Sequence, residues 1–281
     1  LHRTQGIRNQ MHAKISFGVL DQYAFGDAAF TVSPGVSFSD PSGIQTGVND
    51  ITESYASWEQ NFWQLTGKQR FLNNANPYDT GYISNAVSNG AGIFLSNPYI
   101  DVSFSTPHNM VGITLQFDTV TGTAPIDFTI TAYENGAVKS TWSVTGNTDV
   151  VYQGELGIED ADRISIEFIK ARPYNRIRVS SMLFGIAYSF SDEDIISITH
   201  NRAASPVSTE LPAESLSFTL FNENGKYDLD SSFSLIPFLQ KEQKVIIQYG
   251  YDVDGKGGIE WLEQDLYLLD SWETDGINAK F

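Results

Sequence analysis

The chain contains no cysteine in 281 residues. That excludes a disulfide framework, a thiolate zinc site and a cysteine nucleophile, and leaves the redox compartment open. Cations are scarce as well: 17 Lys plus Arg stand against 34 Asp plus Glu, for a net charge of -17. A phosphate backbone must be neutralised by cations, so nucleic-acid binding is not expected, and an anionic membrane surface is disfavoured. No apolar run approaches the roughly 20 residues of a membrane span, and the opening LHRTQGIRNQ lacks the apolar core of a signal peptide.

Catalytic motifs are missing too. The string Gly-x-Ser-x-Gly of a nucleophile elbow is absent, and Gly-x-x-x-x-Gly-Lys occurs once, at 250–256, where Gly257 stands in place of the Ser or Thr that a phosphate loop needs. The four histidines, His2, His12, His108 and His200, form no His-x-x-x-His pair, so zinc has no local support, and His200 reads as a packed or locally bonded side chain. The loop YDVDGKGGIEW brings Asp252, Asp254 and Glu260 into an acidic, Gly-rich setting, but Lys256 stands where a calcium loop needs an oxygen ligand. It reads as a long hairpin turn. No metal, no cofactor and no catalytic residue is assigned.

What the chain does have is 13% aromatic residues, 23 Gly and many segments that alternate apolar and polar positions. Strict alternation places one face of an extended segment in a core. It is present at Ile100, Val102 and Phe104, at Ile113, Leu115 and Phe117, at Ile126, Phe128, Ile130 and Ala132, at Ile164, Ile166 and Phe168, and at Ile177 and Val179. After the acidic SDED at 191 to 194 it restarts with Ile196, Ile198 and His200, then Leu216, Phe218 and Leu220, then Val245, Ile247 and Tyr249. Asn135-Gly136 and Gly146-Asn147 supply turn residues that tolerate positive φ. LIPFLQKEQ reads as one helical turn in an otherwise all-β chain.

Three regions are expected: an extended segment and Gly/Ser/Pro-rich linker over 1–44, a first β domain over 45–190, and a second over 191–281. The first residue is Leu, and INAKF stops inside a strand-like pattern, which suggests a piece of a longer polypeptide. The strings YASWEQNFWQLTGKQRFLNN, GYIS, GIFLSNPYIDVSF and HNMVGITLQFD, closed by YNRIRVSSMLFGIAYSF, resemble a discoidin-type (galactose-binding-like) jelly-roll sandwich. LPAESLSFTLFNENGKYD followed by QKVIIQYG, an EW after a hairpin and YLLDSWET resembles the hub-like β-barrel domain of phage and prophage tail-tip or baseplate proteins.

These resemblances imply a non-enzymatic structural part of a virion tail, assembled in the bacterial host cytoplasm. Its partners would be other tail proteins and copies of itself, with a host-surface glycan as a further ligand. The alternative is a carbohydrate-binding module of a secreted or cell-surface protein. Discoidin-type domains bind with loops at one end of the sandwich, which singles out Asn73, Asn74, Tyr78 and Asp79 in LNNANPYDTG, and Ser88 and Asn89 in SNGAG. Asn and Asp are also ordinary turn residues. The five Trp read first as core, and paired carboxylates carry no signal in so acidic a chain.

Overall fold

A computed structural model describes residues 11–37, 39–41, 44, 54–55, 69–70, 81–201, 214–222, 225–228, 230, 234–252 and 258–281. In chain order these form β1 (Met11–Leu20), α1 (Gln22–Asp27), β2 (Ala29–Val32), β3 (Ser54–Tyr55), β4 (Gln69–Arg70), β5 (Tyr82–Ile83), β6 (Tyr99–Gln116), β7 (Asp127–Glu134), β8 (Ala137–Val144) and β9 (Val151–Lys170). There follow β10 (Arg178–Val179), β11 (Ser181–Leu183), β12 (Gly185–Phe190), β13 (Ile195–Asn201), β14 (Ser215–Phe221), β15 (Lys244–Asp252), β16 (Ile259–Leu268), β17 (Glu273–Thr274) and β18 (Asn278–Lys280). The alternating segments do become strands. They sort into two compact units, one discontinuous (through Val19, then Ala187–Phe281) and one inserted into it (Leu20–Ile186).

The inserted unit is a β-sandwich built on two long antiparallel strands, β6 of 18 residues and β9 of 20. Their register shifts three times between Ser103 and Gly112, and such bulges bend a strand pair. On one side of the bend β6 is flanked by β2, and β9 by β7 and β8; on the other side β6 takes β11. The two halves fold onto a common core in which Ile100, Val102, Ile113, Leu115, Phe128, Ile164 and Ile166 are all fully buried. Phe128 on β7 meets Phe117 at 6.1 Å and Tyr152 at 5.1 Å, both edge-to-face. The β7–β8 hairpin turns through Asn135 (φ 52°) and Gly136 (φ 79°), the paired positive φ that the Asn-Gly sequence predicts.

The N-terminal 44 residues take part in both units. Met11–Phe17 pair with Val245–Tyr251, because Ile15, Phe17 and Val19 alternate into the core of the discontinuous unit, buried to 3% exposure or less. The segment read as a linker is also docked within the inserted unit: Val36 donates its N–H to Ile83 O at 3.0 Å, Asp40 to Gly81 O at 2.8 Å, and Ile44 is fully buried. Helix α1 was not expected. Asp21 caps it, its carboxylate accepting from the N–H groups of Tyr23 and Ala24. LIPFLQKEQ does contain one short turn, a 3-10 turn at Ile236–Phe238.

The discontinuous unit holds two four-stranded sheets, in the orders β12-β1-β15-β16 and β13-β14-β18-β17. The expected hub-like barrel is therefore corrected: among the described residues both sheets are open, their edge strands being β12 and β16 in one and β13 and β17 in the other. An aromatic cluster joins them, with Phe17 lying 6.4 Å from Phe218, 5.3 Å from Phe190 and 5.6 Å from Phe281. The alternation read at Ile196 is displaced. A register shift between Ile195 and Ser197 inserts Ile196 as an extra residue, leaving it 53% exposed.

Candidate functional site

A groove of about 560 Å³ opens in the discontinuous unit, between β14 and the chain that runs from the end of β16 into β17 and β18. Such a volume falls within the roughly 300–1,000 Å³ of small-molecule sites. Its apolar floor comes from the alternation of β14, which turns Phe218 inward to stack on Phe281 at 4.9 Å and 14°. Phe281 is fixed by reciprocal backbone hydrogen bonds with Phe218 of 3.0 and 2.9 Å, and by the Ser217 hydroxyl, which donates to its carbonyl at 3.0 Å.

One wall is set by Leu269, buried to 5% exposure, which donates its N–H to Gln243 O and accepts from the Glu242 N–H. That anchor stops β16 and turns out Asp270, Ser271 and Trp272, with Trp272 half-buried and its neighbours exposed. Lys280 and Glu273, cross-strand partners on β18 and β17, form an exposed ion pair of 3.0 Å at the rim. Tyr267 and Glu214 line the groove as well.

Tyr267 is held from behind. His200 Nε2 lies 2.6 Å from the Tyr267 hydroxyl and His200 Nδ1 lies 3.0 Å from that of Tyr249, so the imidazole ties β13 to β16 and β15. The Tyr267 hydroxyl in turn reaches Glu214 Oε2 at a long 3.5 Å. A neutral imidazole donates from one nitrogen and accepts at the other, so both tyrosine hydroxyls are satisfied. His200 thus bonds through side chains distant in sequence. The groove offers aromatic faces, hydroxyls and carboxylates together, a combination that stacks against a flat ligand face and accepts hydrogen bonds from its edge.

The residues singled out by the sequence lie elsewhere. Asn73, Asn74, Tyr78 and Asp79 fall outside the described residues. Ser88, 2% exposed, donates its hydroxyl to Arg172 O at 2.6 Å and accepts the Asn175 N–H at 3.0 Å. Asn89 is exposed, and its side-chain oxygen accepts the N–H groups of Ala91 (2.8 Å) and Ile93 (3.1 Å). Both therefore build the 88–93 turn. Sequence reasoning missed Glu214, Tyr267 and Trp272 because the groove draws on three strands without a shared motif; the one signal was Tyr267 and Trp272 flanking the polar end of YLLDSWET.

A second polar constellation lies in the inserted unit. His108 stands between two carboxylates, with Nδ1 at 3.4 Å from Asp21 and Nε2 at 3.1 Å from Asp27. Asp27 also accepts the Ser105 hydroxyl at 2.5 Å and the backbone N–H groups of Ser105 (2.8 Å) and Thr106 (3.1 Å). These donors hold its carboxyl well below the usual carboxylate range, the Ser105 hydroxyl first and His108 next. Their effect is to clamp both ends of α1 onto the bulged stretch of β6. Among the described residues no cluster of three or more His, Asp or Glu is arranged to hold a metal, and no helix is long and apolar enough to cross a membrane.

No family model matches the chain, and no curated protein matches it. Solved structures similar to it include a mutant of the lectin-binding domain of Lectinolysin complexed with Lewis b (9% identity, covering 59% of this chain and 98% of that one, TM-score 0.38). The family 32 carbohydrate-binding module from C. perfringens NanJ, in complex with galactose, aligns at 10% identity over 62% of this chain and 99% of that one, with a TM-score of 0.37. The family 32 module from Streptococcus pneumoniae EndoD aligns at 17% identity over 32% and 69%, with a TM-score of 0.28.

Proposed function

We propose that the chain is a non-catalytic carbohydrate-binding protein that seats a sugar in the groove of its discontinuous unit. One observation carries the reading: Trp272 and Tyr267 face the same space of about 560 Å³ as Glu214, Asp270 and Ser271. A pyranose has an apolar C–H face for an aromatic ring and a rim of hydroxyls for oxygen acceptors, which is the chemistry this groove complements. Binding is favoured over hydrolysis because Glu214, Asp270 and Glu273 are all exposed, and none sits in the dry, apolar setting that general-acid work requires. A discoidin-type sandwich as the inserted unit belongs to the same reading, with Asn73, Asn74, Tyr78, Asp79 and the exposed Asn89 as a second glycan contact.

The test is a glycan array followed by calorimetry on the best hit. Replacing Trp272 with Ala should weaken binding tenfold or more, equivalent to about 1.4 kcal/mol, with an unchanged melting temperature. Failure of the wild-type chain to bind any glycan, or equal binding by W272A, would sink the reading for this groove.

A second reading, a structural part of a phage or prophage tail tip that meets other tail proteins and copies of itself, has one observation in its favour. Among the described residues β16 is an open sheet edge, and it exposes Leu262 (65%), Leu266 (53%) and Leu268 (58%). Open edges with exposed apolar side chains invite pairing with another chain. Immunogold labelling of particles from an induced culture decides it: label at tail tips supports this reading, and label confined to cell surfaces removes it.

A further inference from the structure

Resting on the carbohydrate reading of the groove, we infer that its ligand is cationic: a chain of hexosamine units with free, protonated amines, in preference to neutral or N-acetylated sugars. The charges that line the groove decide this. Among the described lining residues, Glu214, Asp270 and Glu273 stand against Lys280, three carboxylates to one ammonium. That ammonium is already engaged, its Nζ 3.0 Å from Glu273. Among the described lining residues Glu214 and Asp270 therefore bring negative charge to the groove that no further cation offsets, and a neutral sugar would give up their hydration without neutralising them.

An ammonium answers both parts of the wall. It pairs with a carboxylate through a charge-assisted hydrogen bond, and its charge is attracted to the electron-rich faces of Trp272 and Tyr267. The aromatic floor takes the sugar's C–H face, leaving the amine at the rim where the carboxylates stand. An anionic sugar is repelled by the same carboxylates. The net charge of -17 on the whole chain adds the same sign at long range, steering a polycation toward the protein and a polyanion away.

Calorimetry on the full chain separates the possibilities, with two tetramers of β-1,4-linked glucosamine as probes, one with free amines and one fully N-acetylated. The free-amine tetramer should bind at least tenfold more tightly, lose most of that preference in the Glu214→Gln/Asp270→Asn double variant, and weaken as NaCl is raised from 20 to 300 mM. The double variant removes charge while keeping size, and circular dichroism checks that it is folded. If both tetramers bind equally and Trp272→Ala abolishes both, the carbohydrate reading stands and the cationic inference is overturned. If neither tetramer binds while other glycans on the array do, the inference is overturned alone; if no glycan binds, both fall. Binding of an oligolysine peptide in place of either sugar, lost in the double variant, would assign the groove to a basic peptide and overturn the inference as well.

Discussion

Tyr227 is 1% exposed, and its hydroxyl has no hydrogen-bond partner among the described residues. Burial first, and the nearby Asp194 second, push its ionisation well above the usual phenol range. A buried hydroxyl without a partner keeps its desolvation cost and gains nothing in return. Tyr227→Phe should therefore be neutral or stabilising by up to about 1 kcal/mol in urea unfolding, and a clear loss would show that the hydroxyl is bonded. Asp27 is the converse case. Its folded pKa lies below the unfolded value of 3.8, so its contribution is complete above that pH and is lost as pH falls through the folded pKa. Asp27→Ala should destabilise the chain at pH 7, and the gap to the wild type should narrow between pH 4 and pH 2; a gap that stays constant would remove the ionised carboxylate as the cause. None of this was legible in sequence, because Asp27 and its partners Ser105 and His108 are 78 and 81 positions apart.

At the scale of elements, the strands whose faces differ in polarity were legible. Phe128, Ile130 and Ala132 on β7 are buried to 1% or less, as their alternation requires. Irregularities were not legible, because a bulge depends on what the partner strand presents. Ile196 looked like the start of an inward face and became the extra residue of a bulge. Gly112 shows the same dependence: a Cβ there would collide with the carbonyl oxygen of Gly154, so the bend of the β6–β9 pair depends on two backbones approaching where no side chain intervenes. Gly112→Ala should destabilise the inserted unit by at least about 1–3 kcal/mol in thermal denaturation, since backbone cannot swing aside as a flexible side chain can. A fully cooperative, unshifted transition would mean that the pair relaxes at no cost.

For the molecule as a whole, the discontinuous unit is what the sequence concealed. Its boundary at 186/187 lies close to the expected 190/191, but β1 pairs with β15 across more than 200 positions, and no local pattern announces so distant a partner. One half of this unit should not suffice. A chain trimmed to 187–281 lacks the central strand between β12 and β15 and should aggregate or remain unfolded, whereas joining residues 11–19 through a short linker should restore a cooperative melt. A folded 187–281 fragment would show that β1 is dispensable. The inserted unit, with its own buried core, should melt cooperatively when expressed as 20–186.

The insertion has a mechanical consequence. The chain leaves β1 at Leu20 and returns into β12 at Gly185, strands that are neighbours in one sheet, and the Asp21 N–H donates to Phe184 O at 2.8 Å across the two crossing points. A force pulling Met11 and Phe281 apart is borne by the ladders of the discontinuous unit, because the path of tension runs through those strand pairs and bypasses the inserted loop of chain. The inserted sandwich is shielded from load until β1 is stripped from its sheet. In a pulling experiment the extension belonging to its 167 residues should appear only after that first rupture.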